Sequence, residues 1–462
     1  MSLYTPDTII AIASPAGTGA ISVIRISGPK AIDACNALFH AKDLHQVKSH
    51  TIHYGHLIND KKEVIDEVMI SVFKAPKSFT TEDSIEISCH GSPFICQQII
   101  EEICMHDVRL AEPGEFSMRA FLNGRIDLVQ AEAVADLIAV NSEKSKQIAL
   151  HQLRGVFSTE LQKMRTELID FAALIELELD FSEEDVAFAD RSKILELVNQ
   201  IQKNIRPLIQ SFKLGNAIKN GIPVAIVGKP NSGKSTLLNA LLNEERAIVS
   251  DIAGTTRDTI EDTIQIDGIL YRFIDTAGLR STIDTIEYAG IERAKQKIKE
   301  ASIVLYVADI NENYKDILQE ATALEIQEQQ ELIFVLNKLD TISSCDGYDI
   351  EEAISTLSKR QAIAIAAKNQ MHIDKLKNML ATYSNSVSQE DTIINNIRHY
   401  EALRKIDSSI DDIRNGVEQN IDNELIALDI RRTLQYIGQI TGEVEVDRDI
   451  LGSIFGKFCI GK

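Results

Sequence analysis

The sequence predicts a multidomain chain that joins α/β and all-α parts, and three observations carry the prediction. Pro and Gly nearly vanish between Phe121 and about residue 212, where apolar side chains recur at helical spacing. Strands and glycines return around Ala217 and persist to about residue 382, after which helical spacing resumes. Short β-rich runs separated by turn residues fill the chain before Phe121. The economical arrangement is an α+β N-terminal domain (1–120) and a helical bundle contributed by 121–215 and 384–462. An α/β domain (216–383) is inserted between the two helical parts. A bundle split in sequence can close in space because domain termini often lie close together.

The elements follow in order. "TIIAIA" and "AISVIRIS" read as strands around the turn "SPAGTG", and "EVMISVFKAP" and "DSIEISCHG" read the same way. "GSPFICQQIIEEICMH" alternates at helical spacing. Leu161, Met164, Leu168, Phe171 and Ile175 form the apolar stripe of a core-facing helix. The acidic run from Glu176 to Asp190 has no metal-ligand spacing and reads as a solvated helix end. "SNSVSQED", Ser384 to Asp391, reads as a polar linker. Beyond it Ile393, Ile397, Tyr400, Leu403, Ile406, Ile410 and Ile413 form one stripe, and Leu425 to Ile440 carries another.

Composition narrows the function classes. The 44% hydrophobic and 25% charged fractions are those of a globular protein. A net charge of −21 disfavours nonspecific binding to polyanions, and the absence of Trp argues against an aromatic platform for bases. The six cysteines, at Cys35, Cys89, Cys96, Cys104, Cys345 and Cys459, form no CxxC pair and read as reduced thiols. No stretch reaches the roughly 18–20 apolar residues that span a bilayer, so a cytoplasmic protein is expected.

The chemistry is concentrated in the inserted domain. "VAIVGKPNSGKS", Val224 to Ser235, is a strand leading into G-x-x-x-x-G-K-S and then a helix. In that context Gly228 and Gly233 let the backbone turn its N–H groups toward phosphates. Lys234 reaches the β- and γ-phosphates, and the Ser235 hydroxyl ligates Mg²⁺. Asn231, Ser232, Gly233 and Thr236 complete this phosphate loop. "FVLNKLD" puts Asn337, Lys338 and Asp340 after an apolar strand, where Asp340 can accept two hydrogen bonds from guanine. Adenine offers no such pair of donors. "RFIDTAGLR" places Asp275 to hold Mg²⁺ through water and the Gly278 N–H to sense the γ-phosphate, with Thr276 and Ala277 between them. In "DIAGTTRD" Thr256 is the expected second Mg²⁺ hydroxyl ligand. "AIAAKN" follows a last strand and can cover the base with Ala366, Ala367 and Lys368. Order and spacing fit a Ras-like P-loop GTPase. In Ras-type enzymes the residue after D-x-x-G is a water-orienting Gln; here it is Leu279, so hydrolysis needs another device, for which Arg257, Arg280 and Glu287 are the nearby candidates, each of which also reads as a surface charge.

The whole chain resembles the MnmE/TrmE family of tRNA-modification GTPases. The resemblance rests on "GKPNSGKS", "DIAGTTRD", "DTAGLR", "PGEFSMRAFLNGRIDLVQAEAVADLI", "ITGE" and the terminal "FCIGK". It implies GTPase domains that pair across a homodimer and are activated by K⁺. Asn231 is then the K⁺ side-chain ligand, with Ser250, Ile252 and Thr255 completing the shell largely through carbonyls. Ser250 and Thr255 also join the nucleotide-contacting set. Glu287, twelve residues after Asp275, takes the family's catalytic position and would polarise the attacking water, with Lys234 on the phosphates. The N-terminal domain is expected to bind a tetrahydrofolate, as the 5-formyl or 5,10-methylene derivative, at Arg25, Glu86, Arg125 and Lys462. Arg125 stands where Lys is common in the family, keeping charge with a different contact geometry. The implied function installs aminomethyl or carboxymethylaminomethyl groups on carbon five of wobble uridine. An FAD-dependent partner of the MnmG/GidA family completes a heterotetramer and carries much of the tRNA contact.

A competing reading is a GTP-switched interaction protein, such as a ribosome-assembly factor, which needs neither the folate positions nor the tail. That tail does not read as a lipid anchor. C-a-a-X requires an aliphatic third residue, and Gly461 and Lys462 end this chain. Cys459 reads either as a packed thiol or as a participant in the modification.

Overall fold

The computed structural model describes residues 7–180, 191–242, 262–274, 298–324, 326–327, 330–342, 344–384 and 392–443, with 451, 454–456, 458 and 461 of the tail. The chain divides into two compact units. The first comprises 1–138, 152–190 and 418–462, and the second 139–151 and 191–417. The helical segments are thus distributed over both.

The first unit is built on seven strands: β1 (Thr8–Ile12), β2 (Ile21–Ser27), β3 (Phe39–His40), β4 (Thr51–Ile58), β5 (Val64–Phe73), β6 (Ser84–His90) and β7 (Val108–Leu110). Their order is β3-β4-β5-β6-β2-β1-β7, antiparallel throughout except for the parallel β1–β7 pair. Alternation decides the faces. Ile24, Ile26, Ile70, Val72, Ile85 and Ile87 are fully buried with residues of helices Ala31–Leu38 and Pro93–Cys104. The intervening residues line the opposite face, where register places Arg25 beside Glu86 and Glu86 beside Ser71. The expected strands and helix are all present. β4 was not anticipated, because "TIHYGHLI" spends its alternation on two histidines and a glycine.

Helix Val156–Asp180 packs against helix Asn423–Thr441 in the same unit. The predicted stripe is its buried face: Leu161, Met164, Leu168, Phe171 and Ile175 are all under 9% exposed. Arg431 pairs with Glu176, Asn423 donates to Glu178, and Arg165 pairs with Glu443 across the two helices. Glu176 and Glu178 therefore begin the acidic run as surface partners; residues 181–190 lie outside the described residues.

The second unit carries six strands: β8 (Ile222–Val227), β9 (Asp262–Ile266), β10 (Ile269–Phe273), β11 (Ile303–Asp309), β12 (Glu331–Asn337) and β13 (Gln361–Ala364). The order is β13-β12-β11-β8-β10-β9, parallel apart from the β9–β10 hairpin. β8, β11 and β12 are almost continuously apolar because both faces are covered. Val224, Ile226, Leu305 and Val335 belong to one core, and Ala225, Val304, Phe334 and Leu336 to the other. Such sheets bind ligands beyond the carboxyl ends of their strands. Those ends here are Val227, Asp309, Asn337 and Ala364.

In the same unit helix Arg191–Asn220 is joined to helix Ile397–Glu418 by Gln202, which donates to Asp407 and Asp411. Phe212 stacks on Tyr400 with centroids 4.3 Å apart. The later helix begins at Ile397, not Ile393. Asn396 caps it by accepting from the Arg398 N–H at 3.0 Å, and the Ile394 carbonyl lies against Gly215. The expected linker Ser384 to Asp391 starts on the last residue of helix Ile373–Ser384, and its remainder, 385–391, lies outside the described residues.

Candidate nucleotide and ligand sites

The phosphate loop takes its shape from three backbone conformations. Gly228 and Gly233 have φ of +144° and +94°, and Asn231 has φ 61°. At Gly228 a Cβ would stand 2.0 Å from the Val307 carbonyl oxygen, and at Gly233 2.1 Å from Asn337 Nδ2. Glycine is therefore required by close approach as well as by φ. Helix Lys234–Leu242 starts immediately after, leaving its first N–H groups and its positive end at the loop. Lys234 Nζ donates to the Gly228 carbonyl at 2.9 Å and also to that of Lys229, so it lies along the loop. Ser235 and Thr236 are exposed at the helix start, where a hydroxyl is a suitable hard ligand for Mg²⁺. The Ser232 hydroxyl is buried and finds no partner among the described residues.

Asn337 ties the phosphate loop to the base loops. Its Nδ2 donates to the Ser232 carbonyl at 2.9 Å, and its Oδ1 accepts from the Ala367 N–H at 3.0 Å. It is buried at 4% exposure. Lys338 has φ 70°, and its ammonium donates to Asp309 Oδ2 at 2.6 Å. Burial alone would raise the Asp309 carboxyl. The hydrogen bonds from Lys338 and from Asn311 outweigh it and hold the group below its ordinary value. Asn311 also donates to Thr341, closing a second support under the Asn337–Asp340 turn. Ala366 and Ala367 are buried, while Asp340 and Lys368 are exposed. The structure thus brings Asn231 to Thr236, Asn337 to Asp340 and Ala366 to Lys368 to one end of one sheet. Ser250, Ile252, Thr255, Thr256, Arg257, Asp275 to Arg280 and Glu287 lie outside the described residues.

The P-loop neighbour Lys229 pairs with Glu312 and Glu320, and these two carboxylates raise its ammonium above the ordinary lysine value. Sequence reasoning missed this anchor, together with Asp309 and Asn311. No local pattern marks partners about 30 to 90 residues apart in the chain.

In the first unit a cavity of about 720 Å³ opens on the sheet face opposite the two helices. Arg25, Glu86 and Arg125 line it, together with His50, Phe73, Lys77 and Phe79. Arg25 Nε and Nη2 both donate to Glu86 Oε1, at 3.0 and 2.8 Å. Two guanidiniums approach the Phe79 ring, with Arg25 Cζ at 5.7 Å and Arg125 Cζ at 5.3 Å from its centroid. Arg125 also donates to the Ser78 carbonyl. Phe79 had no signal in the sequence beyond its type.

The tail comes to the same place. Phe455 and Phe458 are buried with Leu128 and Ala131, and Gly114 lies where a Cβ would meet the Phe455 carbonyl at 2.6 Å. Gly461 (φ +97°) passes against the end of β1, and its carbonyl accepts from Arg25 Nη1 at 3.5 Å. Cys459 and Lys462 lie outside the described residues. Burial pushes the Cys89 thiol up to about 12, with neighbouring Cys96 adding to it, and burial raises Cys35 and Cys104 as well. None of these three is a ready thiolate. Among the described residues no cluster of His, Cys, Asp or Glu could hold a metal ion. None of the described helices is long and apolar enough to cross a membrane.

A six-stranded, mainly parallel sheet with a P-loop after β8 and an Asn-Lys-x-Asp turn after β12 defines a P-loop GTPase. Comparison with known proteins refines the class. Residues 8–125 match the model of the GTP-binding protein TrmE N-terminus, and residues 128–459 that of the MnmE helical domain. The tRNA modification GTPase MnmE of Cytophaga hutchinsonii is 50% identical over 99% of this chain and 98% of its own length. That of Flavobacterium johnsoniae is 50% identical over the full length of both, and that of Bacteroides thetaiotaomicron 48% over 99% of each. The chain belongs to the MnmE/TrmE family, and it is a GTPase of tRNA modification.

Proposed function

We propose that GTP hydrolysis in the second unit drives modification of wobble uridine at carbon five, with a tetrahydrofolate carried by the first unit as one-carbon source. The observation that carries this reading is the 720 Å³ cavity, in which Arg25, Lys77 and Arg125 face a single carboxylate, Glu86. This excess of positive charge in a chain of net charge −21 suits a ligand with two carboxylates, as folate has. Glu86 Oε2 is left for a pterin edge, Phe79 offers a ring face, and Lys462 is the further cation expected from the sequence, next in the chain to Gly461. A GTP-switched interaction protein has no use for such a site.

In the second unit Asn231 to Thr236 bind the phosphates, with Lys234 leaving its loop carbonyls for the β- and γ-oxygens. Ser235 and Thr256 hold Mg²⁺, which neutralises phosphate charge when bound. Asp275, Thr276, Ala277 and Gly278 follow the γ-phosphate. Asn337, Lys338, Asp340, Ala366, Ala367 and Lys368 enclose guanine. K⁺ is held by Asn231 with Ser250, Ile252 and Thr255, and Glu287 directs the attacking water. The chain is organised as 1–120, 121–215, 216–383 and 384–462. The boundary between the two family matches, near residue 126, supports the first division. A homodimer working with an FAD-dependent partner on tRNA in the cytoplasm completes the reading.

Nucleoside mass spectrometry of tRNA from a deletion strain tests it. The modified wobble uridines are expected to disappear and to return with the wild-type gene but not with Glu86→Ala. Unchanged wobble uridines in the deletion strain overturn the proposal.

A further inference from the structure

We infer that Asn369 is a positioning residue for base selection: it holds the Asp340 carboxylate in the orientation from which guanine is read. The inference rests on Asp340 being the guanine-reading group. Asn369 Nδ2 donates to Asp340 Oδ2 at 3.3 Å. Among the described residues it is the only side-chain donor within hydrogen-bonding distance of that carboxylate.

Both backbones are fixed, which leaves the Asp340 side chain as the remaining freedom. Asp340 sits in the one-turn helix Leu339–Thr341, entered through the left-handed Lys338 and tied down by the Leu339 N–H on the Ile365 carbonyl at 2.9 Å. Asn369 closes the turn Ala367–Asn369, its N–H bonded to the Ala366 carbonyl at 3.1 Å. Ala366 and Met371 exchange both backbone bonds at 3.1 Å around it, and Gln370 adopts φ 60°. His372 Nδ1 pairs with the Ala364 carbonyl at 2.8 Å and pins the exit.

The chemistry of the pair suits its task. Asp340 is exposed, so without a partner its carboxylate rotates freely. The neighbouring loop residues Ala364, Ala366 and Ala367 have no polar side-chain atom to hold it. An amide occupies one lone pair and leaves the others for the two base hydrogens. A lysine or arginine at 369 would form an ion pair and compete with the base for the same oxygens.

The test uses the full chain and isothermal titration with GDP and with IDP. Hypoxanthine keeps the ring N–H but lacks the exocyclic amine, so the ratio of the two affinities reports how well both carboxylate oxygens are placed. Asn369→Ala is expected to narrow the GDP-over-IDP preference about three- to tenfold, the scale of one hydrogen bond. Asn369→Asp, which sets a like charge beside Asp340, should narrow it further. Equal losses for both nucleotides would mean a purely structural role and overturn the inference. So would an unchanged ratio in Asn369→Ala when Asp340→Asn collapses it. An unchanged ratio in Asp340→Asn removes the reading on which the inference stands, and the inference with it.

Discussion

Asn337 offers the sharpest test of how the nucleotide site is held together. Its side chain links the Ser232 carbonyl at 2.9 Å to the Ala367 N–H at 3.0 Å, at 4% exposure. A guanine nucleotide must span the same two loops, phosphates at one and base at the other. Asn337→Ala removes both bonds and frees the loops from each other. A hydrogen bond contributes about 1 kcal/mol net, so the pair is worth about 2 kcal/mol, or roughly 30-fold in affinity if the nucleotide must restore the spacing. The loss should be blind to the base, because the clamp fixes the distance between loops and not the contact with the purine. Titration of the full chain with GDP and IDP should therefore show both affinities falling by the same factor. Asn337→Asp keeps the acceptor for Ala367 but turns a carboxylate oxygen toward the Ser232 carbonyl, so it should lose at least as much. A loss under threefold in Asn337→Ala refutes the clamp. A loss confined to GDP would make Asn337 a reader of the base instead.

Three further outcomes are expected, the first from the proposed K⁺ site and the other two from the structure. GTP turnover in K⁺ should greatly exceed that in Na⁺, and Asn231→Ala should abolish the difference; equal rates in the two salts for wild type would remove the cation mechanism. Gly461→Ala puts a Cβ 2.2 Å from the Ile12 carbonyl at φ +97°, a position worth about 1 kcal/mol of backbone strain before the clash. Titration with 5-formyl-tetrahydrofolate should show at least tenfold weaker binding, and wild-type affinity would sever the tail from the pocket. Glu115 is buried. Desolvation would raise its carboxyl, but hydrogen bonds from Arg109, the Glu112 N–H and Arg119 outweigh this and hold it below its ordinary 4.5. The unfolded chain therefore takes up that proton first. The stability Glu115 contributes is full above about pH 4.5 and is lost as pH falls through the depressed value. Glu115→Gln should lower the urea midpoint at pH 7 and lose less on acidification than wild type does. Parallel pH profiles would contradict the assignment.

The legible parts of this fold are those whose cause is local. Gly228 and Gly233 announce the phosphate loop because no other residue tolerates those torsions at those distances, and the stripe from Leu161 to Ile175 announces a buried helix face. The supports of the site are legible only once strand order is known. Lys338 meets Asp309, and Asp340 meets Asn369, each 29 residues away, because β11, β12 and β13 lie side by side. Nothing within a window of helix or strand length encodes such pairs. The start of the late helix was misread for a related reason. Ile393 continues an apolar stripe, but its neighbour Ile394 is drawn against Gly215, and Asn396 sets the cap.

The same distinction applies to charge. A net charge of −21 describes the whole chain and says little about one cavity in it. Arg25 is already committed there: two of its nitrogens hold Glu86, a third reaches the Gly461 carbonyl, and its guanidinium stands over Phe79 and Phe116. Its charge is thereby largely spent on orienting a carboxylate and a tail. Lys77 and Arg125 are the lining cations beyond that pair. Arg125 is itself fixed over Phe79, so the two differ in kind: one is a guanidinium held in place, the other an exposed ammonium free to follow its ligand. A ligand with a flat ring and a flexible dicarboxylate end matches that asymmetry. A small inorganic anion would make use of neither the ring face nor the mobile cation.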